Sequence, residues 1–103
     1  SILGGRAKAP AGAVAAGLRL HGNYPNPFNP RTTIRFDVPE AVAVTLTVYN
    51  LMGQKVAALL AGEWCEAGRH EVEVDGAHLA SGTYVYRLDA GRSAQVKKML
   101  LLR

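Results

Sequence analysis

Apolar residues in this chain recur at every second position, in runs that are short and repeatedly interrupted by turn residues. A period of two places successive side chains on opposite faces of an extended strand, and a helix cannot use it. Ile34, Phe36 and Val38 share one parity, Arg35 and Asp37 the other, and Pro39 stops the run. Val42, Val44, Leu46 and Val48 then face away from Thr45, Thr47 and Tyr49. Asn50-Leu51-Met52-Gly53 predicts a turn into a less regular strand from Gln54 to about Leu60. The Ala and Leu content of residues 53–61 leaves a helical turn as the alternative there. Gly62 to Gly68, with Trp64 inside, reads as a loop. His70, Val72 and Val74 alternate with Glu71 and Glu73 until Asp75-Gly76, and Tyr84, Tyr86 and Leu88 form the next inward set. Asp89-Ala90-Gly91-Arg92 signals a hairpin into a last strand over residues 93–102. The apolar parity changes there between Val96 and Met99, which predicts a β-bulge or a strand covered on both faces.

Residues 1–17 are rich in Ala and Gly and read as an arm or linker, with the domain proper over 18–103. Val14, Ala16, Leu18 and Leu20 nevertheless share a parity, which suggests a further N-terminal strand. About six or seven short strands with turn signals between them indicate an all-β, immunoglobulin-like antiparallel sandwich with an extended N-terminal arm. Between the arm and the first clear strand, Asn23 to Pro30 carries three of the five prolines. Each removes a backbone donor and drives the preceding residue to extended geometry, so the segment is neither helix nor central strand. Pro25, Pro27 and Pro30 are read as stiffening a structural loop, with Tyr24 and Phe28 covering one end of the core.

Several functions find no carrier in the sequence. The net charge is +4, but the 12 Lys and Arg residues are scattered, with Lys97-Lys98 the only adjacent pair, so a nucleic-acid-binding face is not indicated. Cys65 is the single cysteine, which rules out an internal disulfide and leaves a buried, inert thiol as the simplest reading. His21, His70 and His78 lack metal-ligand spacing, Ser81 lies outside any nucleophile elbow, and no cofactor motif or paired carboxylates suggest catalysis. The domain is therefore read as non-enzymatic. No run approaches the roughly 20 apolar residues of a membrane span. The chain begins at Ser1 and reads as a processed or excised piece whose targeting signal lay upstream.

The ordered set of Asn23–Pro30, Thr32-Thr33-Ile34-Arg35-Phe36, Val48–Val56, Gly82–Leu88 and Val96-Lys97-Lys98-Met99 resembles the type A C-terminal sorting domain of proteins exported by the type IX secretion system. The resemblance runs from about Leu18 to Arg103. It implies a domain that trails a cargo through the periplasm and is recognised by outer-membrane secretion machinery. A sortase-like protease then removes it, and the cargo is left at the cell surface or outside the cell. It also assigns Gly82, Tyr84, Gly91, Lys97 and Lys98 to the final hairpin and terminal basic motif associated with recognition. The context departs from the pattern, since sorting domains trail a much larger cargo.

Bland roles compete with these. Gly82 and Tyr84 suit strand initiation and packing, and paired lysines on a terminal strand discourage edge-to-edge aggregation. A second function is a filament subunit in which Val14, Ala16, Leu18 and Leu20 donate a strand to a neighbouring copy. A carbohydrate-binding module ranks last, with only Trp64 and Tyr49 as candidate platforms.

Overall fold

The computed structural model describes residues 17–103, which form seven strands and, among these residues, no helix. In chain order they are β1 (Arg19–Tyr24), β2 (Arg31–Val38), β3 (Val42–Tyr49), β4 (Lys55–Cys65), β5 (Gly68–Asp75), β6 (Gly82–Ala90) and β7 (Ser93–Leu101). A three-stranded sheet in the order β1-β2-β5 packs on a four-stranded sheet in the order β4-β3-β6-β7, with every named pair antiparallel. This is the expected immunoglobulin-like sandwich.

The alternation seen in sequence supplies the core. Ile34, Phe36 and Val38 of β2 meet Val44, Leu46 and Val48 of β3, all fully buried, with Tyr86, Leu88, Met99 and Leu101 from β6 and β7. Tyr86 keeps a polar handle: its hydroxyl donates to Asn23 Oδ1 at 3.3 Å, and burial pushes its pKa up to about 12.

Three strand readings are corrected. The segment from Gly62 through Trp64 is not loop; β4 continues to Cys65, pairing Trp64 with Ala43 and Cys65 with Val42. Residues 53–61 are not helical either. Register shifts at three places along β3 let β4 absorb extra residues as bulges, which scrambles the period-two pattern read in sequence. Conversely, β7 has no bulge: its register with β6 runs unbroken from Ser93 to Leu101. Val96 simply faces outward at 57% exposure, while Met99 and Leu101 face the core.

Cys65 sits in the core, and burial, with Glu63 nearby, raises its thiol pKa. Since the thiolate is the reactive form, the native thiol is expected to react with a disulfide reagent about a hundredfold more slowly than in urea. Equal rates, followed by absorbance of the released thiolate, would mean the site is open.

The outer face of the three-stranded sheet is a ladder of charges matched across strands. Arg35 meets Glu71 at 2.9 Å and Arg31 meets Asp75 at 3.8 Å. Asp37, expected to face solvent, is instead buried under two neighbours, accepting from His21 Nε2 at 2.7 Å and Arg69 Nε at 3.2 Å.

Candidate recognition surface

One end of the sandwich is built from both halves of the chain. After Tyr24 the proline-rich loop crosses from the three-stranded sheet to the edge of β7, where Phe28 forms a parallel bridge with Leu101. The Phe28 N–H donates to Leu100 O at 2.9 Å, and the Leu102 N–H donates to Phe28 O at 3.0 Å. The Asn26 side chain accepts from the Leu100 N–H at 3.0 Å. Prolines cannot donate to a ladder, so Phe28 supplies the loop's backbone donor to β7, and Asn26 adds a side-chain acceptor. Asn23 Nδ2 donates to Pro25 O and Thr32 Oγ1, holding the loop to β2.

Phe28 closes the core as expected, at 2% exposure, but Tyr24 does not: it ends β1, paired with Thr33, and is 78% exposed. The loop after β5 completes the end. Gly76 donates to Pro30 O at 2.7 Å, and a Cβ there would meet Pro30 O at 3.1 Å and Leu101 Cδ2 and Phe28 Cε2 at 3.2 Å. Gly76→Ala is expected to lose about 1–3 kcal/mol, because the carbonyl it meets is hydrogen-bonded backbone that cannot yield freely. An unchanged urea midpoint would show that this packing is loose. Arg103 Nη1 donates to the Ala77 and Leu79 carbonyls, both at 2.7 Å, tying down the last residue.

The residues expected to serve recognition do not form one cluster. Gly82 starts β6 opposite Leu101, close to the loop just described. Tyr84, 7% exposed, donates its hydroxyl to Ala80 O at 2.6 Å, a corner that braces the turn before β6. Gly91, with φ 60°, makes the tight β6–β7 turn at the opposite end. Lys97 and Lys98 point to opposite faces of β7. Lys98 lies outward, opposite Val85. Lys97 shares the inward parity of Met99, and a Cβ on Gly22 would come within 3.9 Å of its Cδ, so its stem spans the seam to β1.

Gln95 was not anticipated in that seam. Its amide accepts from Leu20 N at 2.8 Å and donates to Leu18 O at 2.7 Å, replacing a missing backbone ladder between β1 and β7. Of the residues considered for strand donation, Leu18 and Leu20 lie in this chain's own core, and Leu20 pairs with Phe36. Val14 and Ala16 lie outside the described residues. Among the described residues no group of three His, Cys, Asp or Glu side chains could hold a metal ion. His70 stacks on Phe36 with ring centroids 5.4 Å apart and bonds to Glu66 O. Trp64 and Tyr49 lie at opposite ends of β3, opposite Ala43 and Lys55, and form no shared platform.

The fold and this end together define a small immunoglobulin-like domain in which a proline-rich loop locks onto the last strand. A family model described as a secretion system C-terminal sorting domain matches residues 23–102, and the chain belongs to that family, the sorting domains of type IX secretion. Comparison with curated protein sequences gives no significant match. Among solved structures, the Ig1 domain of mouse SynCAM 2 is similar at 13% identity and a TM-score of 0.39, covering 70% of this chain and 80% of that one.

Proposed function

We propose that the domain is a non-catalytic C-terminal export signal. It is bound by outer-membrane secretion machinery after its cargo crosses the periplasm, then removed by a sortase-like protease as the cargo reaches the cell surface. The observation that carries this reading is the family match from the proline-rich loop to the end of the last strand. The way those two segments hydrogen-bond into one end of the sandwich supports it, since a signal must present a fixed shape. Lys98 and Gly82 belong to that half of the domain; Tyr84 serves by bracing it.

The test is to fuse the full chain to a reporter in a host carrying the type IX system. Reporter in the medium or on the cell surface is the expected result, and a reporter retained in the periplasm overturns the reading. The filament alternative gains no specific support. Leu18 and Leu20, half of the candidate donor positions, already fill this chain's own core.

A further inference from the structure

Of six large apolar side chains left mostly exposed among the described residues, four gather at one pole: Tyr24, Leu51, Met52 and Leu102. The strand registers place them there. Tyr49, at the end of β3, pairs with Lys55 and Val85, so the turn carrying Leu51 and Met52 reaches the level of the start of β6. Leu102 follows Leu101, which pairs with Gly82, and Tyr24 pairs with Thr33 near the start of β2. The chain comes into the sandwich at the other pole, where Arg19 pairs with Asp37.

The Leu51-Met52 turn is rigid. Asn50 Oδ1 accepts from Met52 N at 2.9 Å and Gln54 N at 3.0 Å, and Asn50 and Gln54 are also joined through their side chains at 2.8 Å. A braced turn that holds Met52 at 82% exposure adds nothing to the core. It does present apolar surface with little conformational entropy left to lose on binding.

Beside the turn, on the outer face of the four-stranded sheet, one cross-strand row reads Lys55, Tyr49, Val85, Lys98, with no carboxylate in it. Strand spacing sets the two lysines roughly 14 Å apart, with Tyr49 and Val85 half-buried between them. Leu100, half-buried opposite Thr83, continues the apolar surface toward Leu102. The other sheet carries no such excess of charge, since on its outer side Arg19 and Arg69 face Asp37, Arg35 faces Glu71 and Arg31 faces Asp75, with Glu73 opposite Thr33.

We propose that Leu51, Met52, Leu100 and Leu102, rimmed by Lys55 and Lys98, form the docking surface for an export-machinery protein that presents an apolar strip bordered by carboxylates. This rests on the export-signal reading and names its contact. The lysine rim selects the occupant. A second copy would meet lysines with lysines, and the apolar residues continue onto a flank of the sheet rather than ending in a tip, which suits a protein surface better than a bilayer. The surface also lies at the far end from the incoming chain, where a cargo does not obstruct it.

The test uses the full chain fused to a reporter in a type IX host. The variants are Leu51→Ser with Met52→Ser, and separately Lys55→Glu with Lys98→Glu; Trp64→Ser, at the other pole, is the control. A photo-crosslinking residue is placed at position 52 or at 64. Export is expected to fall roughly tenfold or more in both double variants with unchanged melting temperature, and to hold in the control. Position 52 is expected to crosslink to an outer-membrane component of the export apparatus, identified by mass, and position 64 is not. Full export of both double variants, or crosslinking from 64 and not 52, overturns the docking surface while leaving the export signal intact. Failure of the parent fusion to leave the periplasm overturns the export reading itself. Loss of binding to anionic phospholipid vesicles, or of a dimer in sedimentation, that tracks the export defect without a crosslink at 52 assigns the surface to a membrane or a second copy and overturns the proposal.

Discussion

Phe28→Ala is expected to destabilise the domain by about 3–5 kcal/mol, read from the urea midpoint at constant m-value, while Tyr24→Ala four residues earlier stays within about 0.5 kcal/mol. The contrast follows from burial. The Phe28 ring is 2% exposed and touches the Gly76 backbone region, and its removal leaves a cavity walled by Leu101 and the loop after β5. The main-chain bonds to Leu100 and Leu102 do not depend on the side chain and persist, so the cavity has little freedom to collapse. Tyr24 has its ring in water. If both substitutions cost the same small amount, the proline-rich loop is a decoration on the sandwich and not part of its core. Because the same loop holds the C-terminal strand in place, a fusion carrying Phe28→Ala is also expected to export poorly, but only in proportion to its unfolded fraction. Leu51→Ser with Met52→Ser is expected to impair export without touching stability, and that difference separates a structural contribution from a docking contribution.

How much of this was legible in the sequence depended on which physical property a residue's role used. Faces were legible. The parity of Ile34, Phe36 and Val38, and of Val44, Leu46 and Val48, specified the two sides of the core, because a strand that slips by one residue exposes its whole apolar set. Bulges were not legible. In β4 the extra residues beside Leu46, Thr47 and Val48 break the alternation, so a paired strand reading Val56-Ala57-Ala58-Leu59-Leu60 looked irregular and its Trp64 end looked like loop. The opposite error at Val96 has a related cause: an outward valine on a surface strand imitates a change of face, and only the unbroken register with β6 shows otherwise.

Edges and ends were the least legible, and they hold most of the candidate function. Nothing in the spacing of Gln95 from Leu18 and Leu20 says that a side-chain amide will substitute for a strand pairing, since the contact joins residues 75 and 77 positions apart. Gly76 looked like the end of a strand; its close approach to Pro30, Phe28 and Leu101 exists only once three separate segments have met. The recognition motif fared similarly. Lys97-Lys98 is a charge pair in sequence, yet pleating sends one side chain across the seam and the other to the outer face, so only Lys98 shares a row with Lys55.

Asp37 is a second place where a large effect hides behind a misleading pattern. It alternates with apolar neighbours as an outward residue should, but His21 and Arg69 close over it and leave its side chain 7% exposed. Burial by itself raises the carboxyl pKa; the hydrogen bonds from His21 and Arg69, with their charges, outweigh it and hold the group below its ordinary value. The group is therefore more acidic folded than unfolded. It contributes stability that is fully present above the unfolded carboxylate pKa of about 3.9 and is lost as pH falls through the lower folded value. Asp37→Ala is expected to lose about 2–3 kcal/mol at pH 7, below the full value of two buried charged bonds because Arg69 remains well exposed to solvent. Asp37→Asn should retain the packing but not the titration. Urea midpoints from pH 7 down to pH 2 then distinguish the two roles: the parent loses its advantage over Asp37→Asn as the pH drops below about 4, and the curves converge at the acid end. Curves that stay parallel throughout would show that the carboxylate is not charged in this cluster, and that shape rather than electrostatics holds β1 to β2 and β5 at the pole where the chain comes in.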